Sequence, residues 1–402
     1  MAKFQLMQIE GRSAGFWTLA ALIGALVLAA LGAAHYMESH GHIVTGMNNQ
    51  IVWGLPHVFA VFLIVAASGA LNVASIASVF GRSDYKPLAP LSGWLAIALL
   101  AGGLAILVLD LGRPERLVVA MTHYNLRSIF AWNMLLYNGF FALVAIYLWT
   151  MLQPGAGRYT TAVGTAAFAW RLILTTGTGS IFGFLIAREA YSSAVLAPTF
   201  IALSIVYGMA AYFIALIAVC AGSGRELGAE ALGRLARLQG WFIVVALYLV
   251  AVFHLTNGYI AKQHGVERFL LLDGGVYPLL FWIGQIALGG LVPLAIFWHP
   301  RLRRSRGAVL LASLLVILGG LAQMYVTIIG AQAWPLDLFP GHEVRSSFFD
   351  GEIHAYAPTL AELLLGLGGI AIAAFATLAG VALLRLVPAS ASDAVLAPPA
   401  RG

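Results

Sequence analysis

Residues 88–111 read LAPLSGWLAIALLAGGLAILVLDL, an apolar run whose one charged residue is Asp110. A helix needs about 20 apolar residues to cross the hydrocarbon core of a bilayer, so this stretch predicts a membrane span that ends in a carboxylate. Similar runs recur along the chain on both sides of it. The ten predicted spans are residues 15–35, 54–80, 88–111, 128–152, 161–187, 198–221, 238–261, 276–298, 308–331 and 358–386.

The composition favours the same class of protein. The 402 residues are 61% hydrophobic and 9% charged, whereas soluble domains are about 25% charged. We therefore predict an all-α integral membrane protein with one transmembrane domain, residues 1–387, and a disordered Ala-, Ser- and Pro-rich tail, residues 388–402. The net charge of +6 is spread over short loops and predicts no nucleic-acid partner. The single cysteine, Cys220, cannot hold an iron–sulfur cluster, which needs about four ligands.

Loop charge predicts the orientation in the membrane. The even-numbered loops and the two termini carry most of the Lys and Arg residues, including the cluster at 301–306. The loop at 332–357 is acidic, with Asp337, Glu343, Asp350 and Glu352. Because basic loops stay in the cytoplasm, both termini are expected there and the acidic loop is expected outside.

Polar side chains gather toward the outer ends of the spans. Asp110 ends the third span, Glu362 enters the tenth, His57 begins the second and His254 lies in the outer part of the seventh. Arg171 lies near the middle of the fifth span. Charged groups inside a membrane usually have a function, which favours a polar chamber near the outer face. The alternative is that polar side chains, such as Asn72, Gln285 and Gln323, hold helices together by hydrogen bonds.

The strongest local feature follows Asp110, in the sequence LDLGRPER at 109–116. Gly112 fits a helix end and Pro114 fits the first turn of a new helix, which predicts a short amphipathic helix at 114–122 lying in the interface. His123 and Tyr124 follow, and Ser128 is expected to cap the fourth span. This segment places acidic, basic, imidazole and phenol groups at one membrane surface, which suits a carbonyl ligand that takes up protons. The alternative is a charged loop that only forms its own salt bridges.

The stretch from Asp110 to Pro114, and Ser128-Ile-Phe-Ala-Trp132 at the start of the fourth span, resemble the NrfD/PsrC-like family of respiratory membrane subunits. Trp53 to Gly69 and Tyr356 to Glu362 extend the resemblance over most of the chain. The ten spans are similar to the longer branch of that family, found with membrane-bound hydrogenases and with the sulfite-reductase-associated complex.

The resemblance implies a fold and a function. The fold is two four-helix bundles, spans 2–5 and 6–9, flanked by spans 1 and 10, one on each side. The function is a quinone-binding subunit in a bacterial inner membrane, without haem or cluster of its own. It would exchange electrons between menaquinone or ubiquinone and an extracytoplasmic ferredoxin-like iron–sulfur subunit, which serves a catalytic redox subunit. The sequence leaves open whether this exchange is coupled to proton translocation.

The expected site has two groups of residues. Motif position assigns Asp110, Arg113, Ser128 and Trp132 to the quinone, and depth in the membrane adds donors for its carbonyl groups, namely His57, His123 and Tyr124. The expected proton-relay residues are Asp110, Arg171, His254 and Glu362.

Two other functions remain open at the level of sequence. A haem-b membrane anchor needs paired axial histidines at matched depth, and His35, His57 and His254 all lie toward the outer face. A secondary transporter needs broken spans, and Gly-rich stretches occur at 176–180 and 366–369. A Soret band would support the first, and copurification of an iron–sulfur protein would argue against the second.

Overall fold

The computed structural model describes residues 4–336, 339, 342 and 351–397. Ten long helices dominate this part of the chain, and a two-stranded antiparallel sheet joins its two ends. The helices are α1 Ala14–His40, α2 Leu55–Ser78, α3 Ser83–Leu109, α4 Ile129–Leu152, α5 Thr160–Gly183, α6 Leu196–Gly222, α7 Ala229–Tyr259, α8 Val276–Trp298, α9 Arg306–Ala333 and α10 Leu360–Leu383, and the strands are β1 Leu6–Met7 and β2 Val387–Pro388.

Within the described ranges, nine of these helices are long and apolar enough to cross a membrane. The remaining long helix is α5, whose Thr and Gly residues and Arg171 lower its mean hydropathy although it packs between α4 and α6. The fold class predicted from the sequence, an all-α integral membrane protein of about ten spans, is therefore confirmed. Asp337, Glu343 and Asp350 of the acidic loop lie outside the described residues.

Successive helices alternate in direction, so their ends form two layers. The terminal end holds β1, β2 and residues 222–229. The site end holds residues 41–54, 110–128 and 351–359, together with the start of α2 and α10 and the end of α3. The first and last described segments, which hold β1 and β2, therefore both lie at the terminal end.

Helices α2–α5 and α6–α9 pack as two bundles that meet along α2 and α6. Close approach there depends on glycine, because a Cβ on Gly69 or Gly208 would overlap the backbone of the facing helix. The prediction that α1 and α10 flank the bundles on opposite sides is wrong. Both lie beside the first bundle, since α10 packs on α2 and α3 and α1 packs on α10, where Ala30 faces Gly368 at close range.

The tail also differs from its prediction. Residues 388–397 are ordered at the terminal end rather than disordered. Pro388 pairs with Leu6, Ala391 pairs with Leu227, and Leu396 is fully buried. Arg234 of α7 donates to the carbonyl of Leu396 at 2.6 Å, so tertiary contacts order a segment whose composition alone favours disorder.

Candidate functional site

Asp110 forms the centre of the site end, at the C-cap of α3. Its side chain is buried, yet two histidines approach it from other elements. His57 Nδ1, in the first turn of α2, lies 3.0 Å from Asp110 Oδ2. His42 Nε2, in the loop after α1, lies 3.7 Å from Asp110 Oδ1 and 3.0 Å from its backbone oxygen. Three segments distant in sequence thus bring two imidazoles to one carboxylate.

These contacts determine the charge state of the cluster. Contact with the Asp110 side chain raises the pKa of His42 and outweighs the opposing effect of burial. Burial alone would raise the pKa of the Asp110 carboxyl, but the contacts with His42 and His57 outweigh it and hold that pKa below its ordinary value. Asp110 is therefore an anion next to an imidazole that gains a proton readily.

The cluster has unused hydrogen-bonding capacity. Both carboxylate oxygens of Asp110 and the Nδ1 atom of His57 are buried and have no hydrogen-bond partner among the described residues. The 3.0 Å approach of His57 to Asp110 is an ion-pair distance, but its angles are not those of a hydrogen bond. Buried polar atoms without partners are rare and costly, and they are expected where a ligand completes the site.

Trp53 lies against the cluster. Its indole stacks on the His57 ring, with centroids 6.3 Å apart and planes at 28°. It also makes edge-type contacts with Phe130 and Phe182 and a tilted contact with Tyr191. The fully buried amide of Gln332 fixes the Trp53 backbone, accepting from its N–H at 3.0 Å and donating to its carbonyl at 3.0 Å. A rigid aromatic wall therefore stands beside two imidazoles and a carboxylate.

Glu362 is the second buried carboxylate of the site end, in the first turn of α10. It accepts from the backbone N–H of Gly46 at 2.9 Å, from the N–H of Thr359 at 2.8 Å and from the Tyr356 hydroxyl at 2.6 Å. Thr359 also completes a capping box with it. Burial, and then the hydrogen bond to Glu362, raise the pKa of Tyr356 far above its usual range, so that phenol remains a donor. Glu362 thus anchors the 41–54 loop to α10.

The family model for "Polysulphide reductase, NrfD" matches residues 43–335, a range that contains Asp110 and both bundles. This chain belongs to the NrfD family. It is 28% identical over 395 residues to the Hdr-like menaquinol oxidoreductase integral membrane subunit of Archaeoglobus fulgidus, covering 98% of this chain and 99% of that relative. It is also 28% identical to a putative membrane subunit of the dimethyl sulfoxide reductase of Halobacterium salinarum, covering 94% and 92%. A component of the polysulfide reductase of Wolinella succinogenes is 23% identical over 71% of this chain and 96% of its own length.

The segment after Asp110 is more open in this NrfD-family protein than the sequence predicts. Arg113 and His123 are exposed, Tyr124 is half-buried, and the Trp132 indole donates to the carbonyl of Leu126 within the same segment. Ser128 stands at the N-cap of α4, but its side chain makes no capping hydrogen bond, contrary to the prediction. The structure therefore brings together Asp110 and His57, and it leaves these other residues on the adjoining surface.

Arg171 lies deep in the first bundle, away from either carboxylate. Its Nη1 donates to Asn72 Oδ1 at 2.7 Å and to the carbonyl of Ser68 at 3.1 Å, and Phe168 lies under its guanidinium at 4.8 Å. Its Nε is buried without a partner, and no described carboxylate pairs with it. The first bundle thus contains a buried cation that is balanced by dipoles alone.

His254 lies at the site end of the second bundle and has a partner that sequence reasoning missed. Its Nδ1 is 2.7 Å from Glu267 Oε2, and the Asn257 amide donates to Glu267 Oε1 at 2.8 Å. Glu267 belongs to a short helix, His264–Arg268, in the loop before α8, and it is only 6% exposed. His57 and His254 therefore each contact a carboxylate.

Proposed function

We propose that this protein is the quinone-reactive membrane subunit of a multi-subunit respiratory oxidoreductase, with the quinone headgroup bound at the site end beside Asp110, His57 and Trp53. The observation that carries the proposal is the buried Asp110 carboxylate, approached by His42 and His57 but left without a hydrogen-bond partner. A relative of similar length carries the name of a menaquinol oxidoreductase membrane subunit. The side chains at the site end match the groups of a quinone, because its flat ring can contact Trp53 and its carbonyl oxygens can accept hydrogen bonds from the imidazoles.

The quinone supplies the redox chemistry, and the protein supplies orientation and protons. Trp53 would contact the quinone ring. His57, whose side chain is partly exposed, would donate a hydrogen bond to a carbonyl oxygen. Contact with Asp110 raises the pKa of His42, so His42 takes up a proton more readily and serves as the proton donor at the edge of the site and as the acceptor in the reverse direction.

The exposed surface after Asp110 is the proposed docking site of the electron-transfer partner. Arg113, His123 and the surrounding segment lie above the Asp110 cluster and are accessible. We place there a ferredoxin-like iron–sulfur subunit, which passes electrons to or from a catalytic subunit. The relatives' names describe parts of reductases and oxidoreductases, which supports partners of this kind. The quinone is menaquinone or ubiquinone.

We further propose a bacterial inner-membrane location with the terminal end in the cytoplasm, because the basic loops lie at that end. Quinone chemistry then takes place near the outer face, and turnover translocates protons. Asp110, Glu362 and His254 are the proposed exchangeable groups. Arg171 stays protonated at all physiological pH values, so its proposed part is to order the Ser68–Asn72 network rather than to release a proton.

The test is the variant Asp110→Asn, measured as quinone-linked turnover of the purified complex. Removing the carboxylate charge removes the contact that raises the pKa of His42 and leaves the site without its anion, so turnover is expected to fall by roughly 10²-fold or more while the complex still assembles. Asp84→Asn is the matched control, because Asp84 is an equally buried aspartate at the terminal end, paired with Arg82. Normal turnover in an assembled Asp110→Asn complex would refute the assigned site.

A further inference from the structure

The second bundle contains a protonatable pair that the quinone site does not use. Glu267 and His254 contact each other at 2.7 Å near the site end, and Asn257 completes the cluster. The neighbouring charged groups pair elsewhere, since Glu189 faces Lys262 and Arg268 binds Asp273. A buried carboxylate paired with an imidazole can exchange a proton with it, whereas one paired with arginine cannot, because arginine does not release its proton.

Two small cavities, each of about 30 Å³, continue from this pair into the bundle. The first is lined by His254, Thr199 and Thr327, and the second by Tyr207, Gly289 and Gly320. Val250, Gln285 and Gln323 belong to the walls of both, so the two cavities are neighbours along the bundle axis. Each is large enough to hold water and is lined by polar groups that would bind it.

Water in these cavities would supply hydrogen-bond partners to two side-chain amides, those of Gln285 and Gln239. Gln285 borders both cavities, and its side-chain amide makes no hydrogen bond with any described residue. Gln239, further toward the terminal end, donates to the carbonyl of Val206 in the wall of the second cavity, and its Oε1 is buried without a partner. Gln285 also lies in a π-helical stretch of α8, Leu280–Leu291, and such stretches concentrate at functional sites.

The first bundle offers a contrast. Its middle holds Arg171, a permanent cation without a carboxylate partner among the described residues, which repels a proton moving past it. The interior of the second bundle between His254 and Gln239 contains neutral amides and hydroxyls among mostly apolar side chains, and its cavity walls include no arginine or lysine. Of the two bundles, the second is therefore the one whose interior suits proton passage.

We propose that protons cross the membrane through the second bundle, from Gln239 through Gln323 and Gln285 to the Glu267–His254 pair, separately from the quinone site in the first bundle. The inference rests on the proposed function, because quinone turnover would supply the energy. The transfer moves only protons, which hop along water molecules held by the amide groups to Glu267 and leave from it at the site end.

The first experiment measures protons moved per electron transferred, with a pH-sensitive dye trapped in proteoliposomes containing the intact complex. Glu267→Gln removes the protonatable group and Gln285→Leu blocks the cavities, so each is expected to lower the ratio to less than about half that of the natural protein. Asp273→Asn is the matched control, an exposed carboxylate of the same loop, and it should leave the ratio unchanged.

If Glu267→Gln fails to assemble, Gln285→Leu decides. An unchanged ratio in Gln285→Leu, or no proton movement by the natural complex, would overturn the proposal.

The second experiment needs no turnover and so separates this inference from the proposed function. Infrared spectra of the purified complex are recorded as the pH changes, and the carboxyl band of Glu267 is assigned by its loss in Glu267→Gln. A group that carries protons must exchange them with water, so the Glu267 band is expected to change with the pH of the medium. A Glu267 band that never titrates would refute the route even if Asp110 governs quinone turnover.

Discussion

His42 is the residue whose charge most directly reports on the site. Its raised pKa means that protonated His42 stabilises the fold through Asp110, fully below the unfolded value of about 6.5, and that this stabilisation is lost as the pH rises through the folded pKa. The Tm of His42→Gln should therefore lie furthest below that of the natural protein near about pH 5 and approach it at about pH 9. His40→Gln is the control, because His40 is exposed and contacts only Tyr36 and Ser39. A difference in Tm that grows with pH would contradict the ion pair.

The sequence indicated Asp110 and His57 because both interrupt or border apolar runs, where a polar group is conspicuous. It did not indicate His42 or Glu267, which lie in loops where charged residues are ordinary. Their burial arises only when the 41–54 loop folds against α3 and the 264–268 helix folds against α7. Gly54 shows how tight that folding is, because a Cβ there would lie 2.5 Å from Glu362 Oε1.

Among the structural elements, the tail beyond β2 has a definite role at the start of α7. Gly228 at that N-cap has no side chain, and Asp393 supplies the missing acceptor, binding the N–H groups of Glu230 at 3.2 Å and Ala231 at 2.8 Å. Asp393→Ala should therefore lower the free energy of unfolding by about 1 kcal/mol, a typical value for loss of a helix cap. Thermal unfolding of the purified protein measures this effect, with Ser392→Ala as the neighbouring control. Equal Tm values for the two variants would show that the tail does not cap α7.

Most helix ends were predictable to within about five residues because span length is set by the bilayer and hydrophobicity marks it directly. The exception is α7, which begins at Ala229, nine residues before the predicted start at residue 238. The tail was not, since its order comes from Arg234, Leu227 and β1, which are far away in sequence. The pairing of α1 with α10 was equally hidden. It depends on Ala30 fitting against Gly368, and small residues occur on many helix faces.

On the scale of the whole molecule, the two bundles divide the polar chemistry. The first contains the Asp110 cluster at the site end and Arg171 in its interior. The second contains the Glu267–His254 pair near the site end and the side-chain amides of Gln285, Gln323 and Gln239 in its interior. The loop at 184–195 connects them. Its Arg188 binds the carbonyls of Gln50 at 2.6 Å and Gln332 at 3.2 Å, and the adjacent Glu189 faces Lys262 of the second bundle. The proposed quinone site and the proposed proton route therefore border the same layer of loops.

The central claim is that a quinone headgroup binds at the site end, beside Asp110. Photolabelling of the intact complex with an azido-quinone, followed by mass spectrometry of its peptides, tests this most directly. Adducts are expected within residues 41–57 and 110–132, and a natural quinone in excess should suppress them. Adducts confined to the terminal end, within residues 79–88, 222–229 or 299–305, would contradict the account.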